Sequence, residues 1–397
     1  MNITAKDDKY LLNVYKKAPL TLKRAAGKYI YDDKGRRYLD FFSGLSVCNF
    51  GHAPPKIVAA VKKQSGRYLH VSNLYHTDTQ ANLAEKLSRL AFPGAVFFSN
   101  SGAEANECAI KLARKWGVPS GKYEIITFQN SFHGRTLATI AATGQVKFQK
   151  GFEPMPRGFR YARFNDLSSV KKLLSRRTAA IMVEPVQGEG GVIPASEKFL
   201  KGLAQICRRK KILLIFDEIQ TGIGRCGAAF AFQSYGVRPD ILTLAKALGG
   251  GLPLGATLVS RKLPEVLVPG DHGSTFGGNP VSCAASLAAL SMLDARLLKN
   301  VRDTGKYFAG RLIQLREKYP DVIKEVRGLG LMVGAELFVT GKGIVDECLN
   351  RGLLINCTQD KVLRFLPPLI VGRKDIDTAT RVLDEVLSSP RWTSIKK

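Results

Sequence analysis

A lysine and an aspartate each stand where an apolar run ends. Lys246 follows the apolar stretch 241–245 and precedes three glycines at 249–251, and Asp217 closes Ile-Leu-Leu-Ile-Phe at 212–216. An amine between an apolar run and flexible backbone is sequestered from water, and burial lowers its pKa toward the nucleophilic range. A carboxylate at the carboxyl end of a buried strand sits where open α/β sheets bind ligands. Beside a heteroaromatic nitrogen it would hold that nitrogen protonated and make the ring an electron sink. Each residue alone also has a plainer reading: a surface lysine opening a helix, and an aspartate capping a turn.

Other constellations surround the pair. Ser101-Gly102-Ala103-Glu104 follows a strand and opens a helix, so its free N–H groups and the helix dipole form an anion site. Ser101 with Glu104 also spells a capping box, which need not exclude a phosphate. Phe132 and Arg135, in Phe-His-Gly-Arg-Thr, supply a ring that can stack and a guanidinium that can grip a carboxylate. Glu189 and Arg364 are candidates to pair with each other, although spacing alone does not join them. The loop 273–280, with Ser274 and Thr275, is glycine-rich and hydroxylated, suited to phosphate or to an ordinary turn. A nucleophilic lysine, a ring-nitrogen carboxylate and an anion cradle are together what pyridoxal 5′-phosphate (PLP) requires of a protein.

One motif points elsewhere. Gly222-Ile-Gly224-Arg-Cys-Gly227 fits the dinucleotide fingerprint, but residues 217–221 separate it from its strand and no amphipathic helix follows. The fingerprint needs its first glycine at the strand-to-helix turn, so a nicotinamide dehydrogenase is disfavoured.

The elements that position these residues alternate. Strands are expected at 95–99, 124–128, 179–184, 212–217 and 241–244. Amphipathic helices lie between them, and a further helix begins at Pro280 with Asn279 as its cap. Continuous apolar strands predict a mostly parallel α/β sheet covered on both faces. Residues 20–42 read as strands and turns; beyond 300 come a helix and strands at 322–337 and 362–366. The expected organisation is a large domain over 50–299 and a smaller α+β domain formed by 1–49 and 300–397.

The chain has 397 residues, 45% of them hydrophobic, enough for two ordinary domains. No run approaches a membrane span, and the charged first ten residues do not read as a signal peptide, which points to the cytoplasm. Seven scattered cysteines without a Cys-x-x-Cys pair favour reduced thiols, and five histidines show no metal spacing. The formal net charge of +27 is dispersed in pairs, with one run at 208–211 ending a helix. It reads mainly as a solvated basic surface, with an acidic partner as the other use and no nucleic acid or membrane expected.

In this order the motifs resemble the class III aminotransferases of PLP fold type I, in their acetylornithine/ornithine branch. The resemblance runs from about Tyr29 to Pro368. It rests on Ser-Gly-Ala-Glu-Ala-Asn-Glu (101–107), Phe-His-Gly-Arg-Thr (132–136), Glu-Pro-Val-Gln-Gly-Glu-Gly-Gly-Val (184–192), Phe-Asp-Glu-Ile-Gln-Thr-Gly (216–222) and Gly-Ser-Thr-Phe-Gly-Gly-Asn-Pro (273–280). It implies that Lys246 attaches the cofactor, Asp217 pairs with its ring nitrogen, Gln220 meets its phenolic oxygen, Phe132 stacks on the ring, and Ser101, Gly102 and Ala103 take the phosphate. Thr275 would reach the phosphate of a neighbouring subunit in a homodimer with shared active sites. Arg135 and Ser274 would contact substrate, and Glu189 would mask Arg364 until 2-oxoglutarate or glutamate needs it.

Leu45 stands where ornithine-specific members usually carry tyrosine, which favours an N-acylated donor. The expected reaction moves the terminal amine of acetylornithine to 2-oxoglutarate, as in arginine biosynthesis, with succinyl-diaminopimelate a further donor. Ornithine and 4-aminobutyrate are the competing donors. An acidic protein carrying the donor, and a polyanion-binding protein without catalysis, are the more distant alternatives. Tyr15-Lys-Lys-Ala-Pro departs from the family's Tyr-x-Arg-x-Pro.

Overall fold

The computed structural model describes residues 3–261, 263 and 265–393. A seven-stranded sheet runs in the order Gly94–Ser99, Gly255–Ser260, Ile241–Leu244, Leu213–Asp217, Thr178–Val183, Glu124–Phe128, Phe159–Ala162. Only Gly255–Ser260 is antiparallel to its neighbours. Within the strand Leu213–Asp217, Leu213 and Ile215 enter one hydrophobic core while Leu214 and Phe216 enter another. Both faces are therefore covered, which explains the unbroken apolar run. The five expected strands are present within a residue or so of their predicted ends.

Two strands of this sheet were not expected. Phe159–Ala162 is a half-buried edge strand with little apolar signal. Gly255–Ser260 is hidden in sequence behind the glycine run at 249–251, and its reversed direction breaks the strand–helix alternation. The helix Pro280–Ser291 begins as its residues dictate, with Asn279 Oδ1 accepting from the N–H groups of Val281 and Ser282.

The chain ends build the remaining sheets. Leu22–Ala26, Tyr29–Asp32 and Arg37–Asp40 form an antiparallel meander, and Arg37–Asp40 also pairs in parallel with Leu353–Leu354. The expected strand region 322–337 is a hairpin, Ile323–Leu329 with Met332–Leu337, continued by Val362–Phe365 and Asn356–Thr358. A third core joins Leu39 and Phe41 to Phe308, Leu363 and Phe365. No single helix among the described residues is long and apolar enough to cross a membrane.

Candidate active site

A cavity of about 490 Å³ opens at the carboxyl edge of the large sheet. The parallel strands end on it in turn: Ser99 leads to Ser101–Ala103, Phe128 to Phe132–Arg135, Val183 to Glu184, Leu213–Asp217 to Gln220, and Ile241–Leu244 to Lys246. The antiparallel strand presents its amino end to the same edge, through Leu252–Leu254. Sheet direction thus converges segments more than a hundred residues apart.

Lys246 borders the cavity with its backbone at φ +48°, a left-handed conformation that costs a non-glycine residue roughly 1–2 kcal/mol. Burial lowers its amine below the ordinary lysine value; Glu189 opposes this shift and Arg364 adds to it. Asp217 is buried, and its carboxylate is held from three sides. Asn106 Nδ2 donates to Oδ2 at 2.8 Å, His133 Nδ1 lies 2.8 Å from the same oxygen, and the Ile219 N–H donates to Oδ1 at 3.1 Å. Burial alone would lower the His133 imidazole, but the hydrogen bond and charge of Asp217, helped by Glu184, raise it. Glu184 is itself raised, chiefly by burial; His133 opposes and Asp217 assists.

The helix Gly102–Gly117 points its amino end into the cavity. Ser101 Oγ accepts from the Glu104 N–H at 3.2 Å, but the Glu104 carboxylate accepts from the Asn100 N–H, one residue before the cap. As the first two helical residues, Gly102 and Ala103 have N–H groups without partners inside the helix, free for an anion. A Cβ on Gly102 would lie 2.8 Å from Ile219 Cδ1, so glycine lets this cavity wall close.

Arg135 is exposed at the cavity and lies over the Phe148 ring at 4.0 Å and the Phe132 ring at 5.5 Å. Arg364 is buried, and its Nη1 reaches Glu189 Oε1 at 2.6 Å while its Nε donates to Asn356 Oδ1 at 3.1 Å. Burial would raise the Glu189 carboxyl, but Arg364, with Lys246 and Lys147, holds it below the ordinary value. The two residues that sequence could only offer as partners are thus joined.

The hydroxyl loop stands apart. Ser274 Oγ accepts from Asn100 Nδ2 at 3.1 Å, and Asn100 borders the cavity. Thr275 is exposed and outside it. Leu45 is absent from the cavity wall too; Val47 is the residue of that segment that reaches it. The reason is backbone handedness. Ser43, Gly44, Leu45 and Ser46 all have φ between +50° and +68°, a left-handed turn costing its non-glycine members roughly 1–2 kcal/mol each. Asp40 anchors its start by accepting from the N–H groups of Phe42 and Ser43, both at 2.8 Å.

Asn106, His133 and Glu184 carried no role in the sequence reading. Glu184 had the signal that singled out Asp217, a carboxylate ending an apolar strand. Asn106 is the one polar side chain among uncharged small and apolar residues on the buried face of an amphipathic helix. In Gly222–Gly227 the fingerprint is a turn: Gly224 and Gly227 have φ of +85° and +88°, and Arg225 between them is fully buried.

The donor set fits PLP. His133 Nε2 and Gln220 Oε1 are buried at the cavity without hydrogen-bond partners. An amine with lowered pKa, a fixed carboxylate and an open helix amino terminus line the same space. The volume lies in the usual range for small-molecule sites.

The class-III aminotransferase family model matches residues 11–387. A relative from Methanocaldococcus jannaschii named acetylornithine aminotransferase is 52% identical, covering 98% of each chain. One of the same name from Aquifex aeolicus is 50% identical over 95% of this chain and 100% of its own. The solved ornithine aminotransferase of Toxoplasma gondii superposes with a TM-score of 0.92 at 33% identity, covering 96% of this chain and 93% of that one. The acetylornithine aminotransferase of Elizabethkingia anophelis gives 0.87 at 32%, covering 96% and 97%. From residue 11 to residue 387, the chain belongs to the class-III aminotransferases, PLP-dependent enzymes built on a large, mostly parallel α/β sheet.

Proposed function

We propose that the protein transfers the terminal amine of N2-acetylornithine to 2-oxoglutarate, giving N-acetylglutamate 5-semialdehyde and glutamate, as a step of arginine biosynthesis. The observation that carries this reading is the Glu189–Arg364 pair at 2.6 Å, whose Glu189 lines the same cavity as Arg135, a guanidinium with no carboxylate partner among the described residues. One free guanidinium suits a donor with one carboxylate and a distant amine. A second, masked guanidinium suits an alternating dicarboxylate. The shared name of the relatives at 50% and 52% identity supports the acetylated donor.

The residues divide the work. PLP, when bound, supplies the electron sink that stabilises the charge left on carbon after proton loss. Lys246 is its attachment point, and Nζ, its basicity reduced by burial, takes the proton from the donor's terminal carbon and later returns it. Asp217 holds the proton on the ring nitrogen, kept in place by Asn106 and His133. Ser101, Gly102 and Ala103 receive the phosphate, Gln220 faces the phenolic oxygen, and Phe132 covers the ring. Arg135 grips the donor's carboxylate, with Ser274 beside it. Glu189 releases Arg364 when a dicarboxylate arrives.

The same proposal includes a cytoplasmic homodimer whose sites are shared through Thr275. Asn73 Nδ2 donates to the carbonyls of Ser274 and Gly277, tying the Thr275 loop to a segment with exposed Leu74 and Tyr75; Phe276 is exposed as well. Such apolar exposure suits a second copy.

A single-turnover panel tests the donor. Acetylornithine, succinyl-diaminopimelate, ornithine and 4-aminobutyrate are mixed singly with cofactor-loaded protein, and loss of the lysine-bound cofactor's absorption is followed. Acetylornithine is expected to react fastest. Failure of acetylornithine to discharge that absorption overturns the proposal.

A further inference from the structure

Arg225 is a fully buried cation whose hydrogen-bond acceptors are all neutral. Nε donates to Ser46 Oγ at 2.9 Å and Nη2 to Asn49 Oδ1 at 2.6 Å. Nη1 donates to the carbonyls of Leu331 at 3.0 Å and Pro367 at 2.6 Å. Burial pulls its pKa below the ordinary arginine value. A guanidinium taken out of water with no hydrogen-bonded carboxylate, only the charge of Asp40 nearby, is costly to keep, and its removal would leave four buried acceptors without this donor.

The acceptors show what the cost secures. Ser46 ends the left-handed turn and immediately precedes Val47, a wall of the cavity. Asn49 in turn donates from Nδ2 to the Ile223 carbonyl at 2.9 Å, closing the contact back onto Arg225's own loop. Pro367 lies just beyond the strand that carries Arg364. Arg225 itself stands five residues after Gln220. One planar fork therefore joins its own loop to three other pieces: the turn before Val47, the hairpin turn at Leu331 and the segment after the Arg364 strand. Lys246 and Asp217 are not among its contacts; they are set by the large sheet.

We propose that Arg225 is a positioning residue for substrate selection, fixing the Val47 turn and the Arg364 strand end relative to the Gln220 loop. The proposal rests on the transaminase reading above. It is therefore tested with glutamate, the substrate common to every donor considered, so a wrong donor assignment leaves the test intact.

Three variants are compared as cofactor-loaded enzymes: Arg225→Met, Arg225→Lys and Ser46→Gly. The last suits the backbone at φ +68° while deleting the Oγ that accepts from Arg225 and donates toward Asn49 Oδ1 and the Gln220 carbonyl, so it removes the contact without adding strain. The readouts are KM and kcat for glutamate, the lysine-bound cofactor's absorption, cofactor affinity and thermal midpoint. Arg225→Met is expected to raise KM at least about 10-fold, with kcat within about 3-fold and an unchanged cofactor spectrum. Arg225→Lys falls between it and wild type, because one ammonium cannot serve four acceptors spread around a fork. Ser46→Gly raises KM about 3-fold or more without lowering the midpoint, and combining it with Arg225→Met adds less than the sum of the two.

An unchanged KM in folded Ser46→Gly overturns the proposal, whether or not Arg225→Met folds. So does a fall in kcat and cofactor affinity at constant KM, which would place the action of Arg225 on the Lys246–Asp217 end instead.

Discussion

Replacing Glu189 by glutamine removes one charge from the Glu189–Arg364 pair and little else. The amide oxygen still accepts from Arg364 Nη1, and the Glu189 carbonyl still accepts from Thr358 Oγ1 and Gln359 Nε2. What is lost is the difference between a charge-assisted and a neutral hydrogen bond at a buried guanidinium, about 1–2 kcal/mol. At 1.4 kcal/mol per factor of ten, that is about 5- to 30-fold.

Its direction differs between the two half-reactions. A dicarboxylate no longer competes with Glu189 for Arg364, so glutamate and 2-oxoglutarate bind more tightly by that factor. The ω-amine donor meets an unmasked cation and binds more weakly. Glu189→Gln therefore shifts the ratio of kcat/KM for glutamate over that for the donor upward by roughly 5- to 30-fold or more. Stopped-flow measurement of each half-reaction separately reads this ratio. A parallel loss in both would refute the masking role and leave Glu189 as a general structural support. Weaker glutamate binding would refute the assignment of Arg364 to the dicarboxylate.

Two other outcomes are expected. Lys246→Ala should still bind PLP but without the absorption of the lysine-bound form, and should lose turnover by several orders of magnitude; retained turnover would remove Lys246 from the chemistry. His52 is raised to about 9 from 6.5, chiefly by its hydrogen bond to Asp40 at 2.7 Å. A raised histidine contributes stability fully below pH 6.5 and loses it as the pH rises through about 9. The urea-unfolding free energies of wild type and His52→Gln should thus differ by up to about 3 kcal/mol at pH 6 and converge toward pH 9–10. A pH-independent gap would show that the imidazole acts by packing alone.

Residues near one another along a strand or turn were readable from sequence. Asp217 and Lys246 announce themselves by ending apolar runs, and Asn279 with Pro280 spells its helix start. The rule that marks Asp217 applies equally to Glu184, which follows the apolar strand Thr178–Val183. His133 and Asn106 are harder, because their meaning lies in a carboxylate 84 and 111 residues away. Arg225 has no sequence signature, since two of its four acceptors are backbone carbonyls that any residue would supply. The turn at 43–46 contains a single glycine, so nothing in its composition signals four left-handed residues in succession or the replacement of Leu45 by Val47 at the cavity.

The parallel pairing of Arg37–Asp40 with Leu353–Leu354 also orders events on the ribosome. The meander 22–40 precedes its partner by most of the large sheet, and its inner edge stays open until residues 353–354 have been synthesised. Arg364 emerges later still. Between residue 40 and residue 353 the nascent protein holds an unpaired strand edge and an unfinished pocket, the condition in which chains find wrong partners. The completed site is therefore also a report that synthesis has passed Arg364.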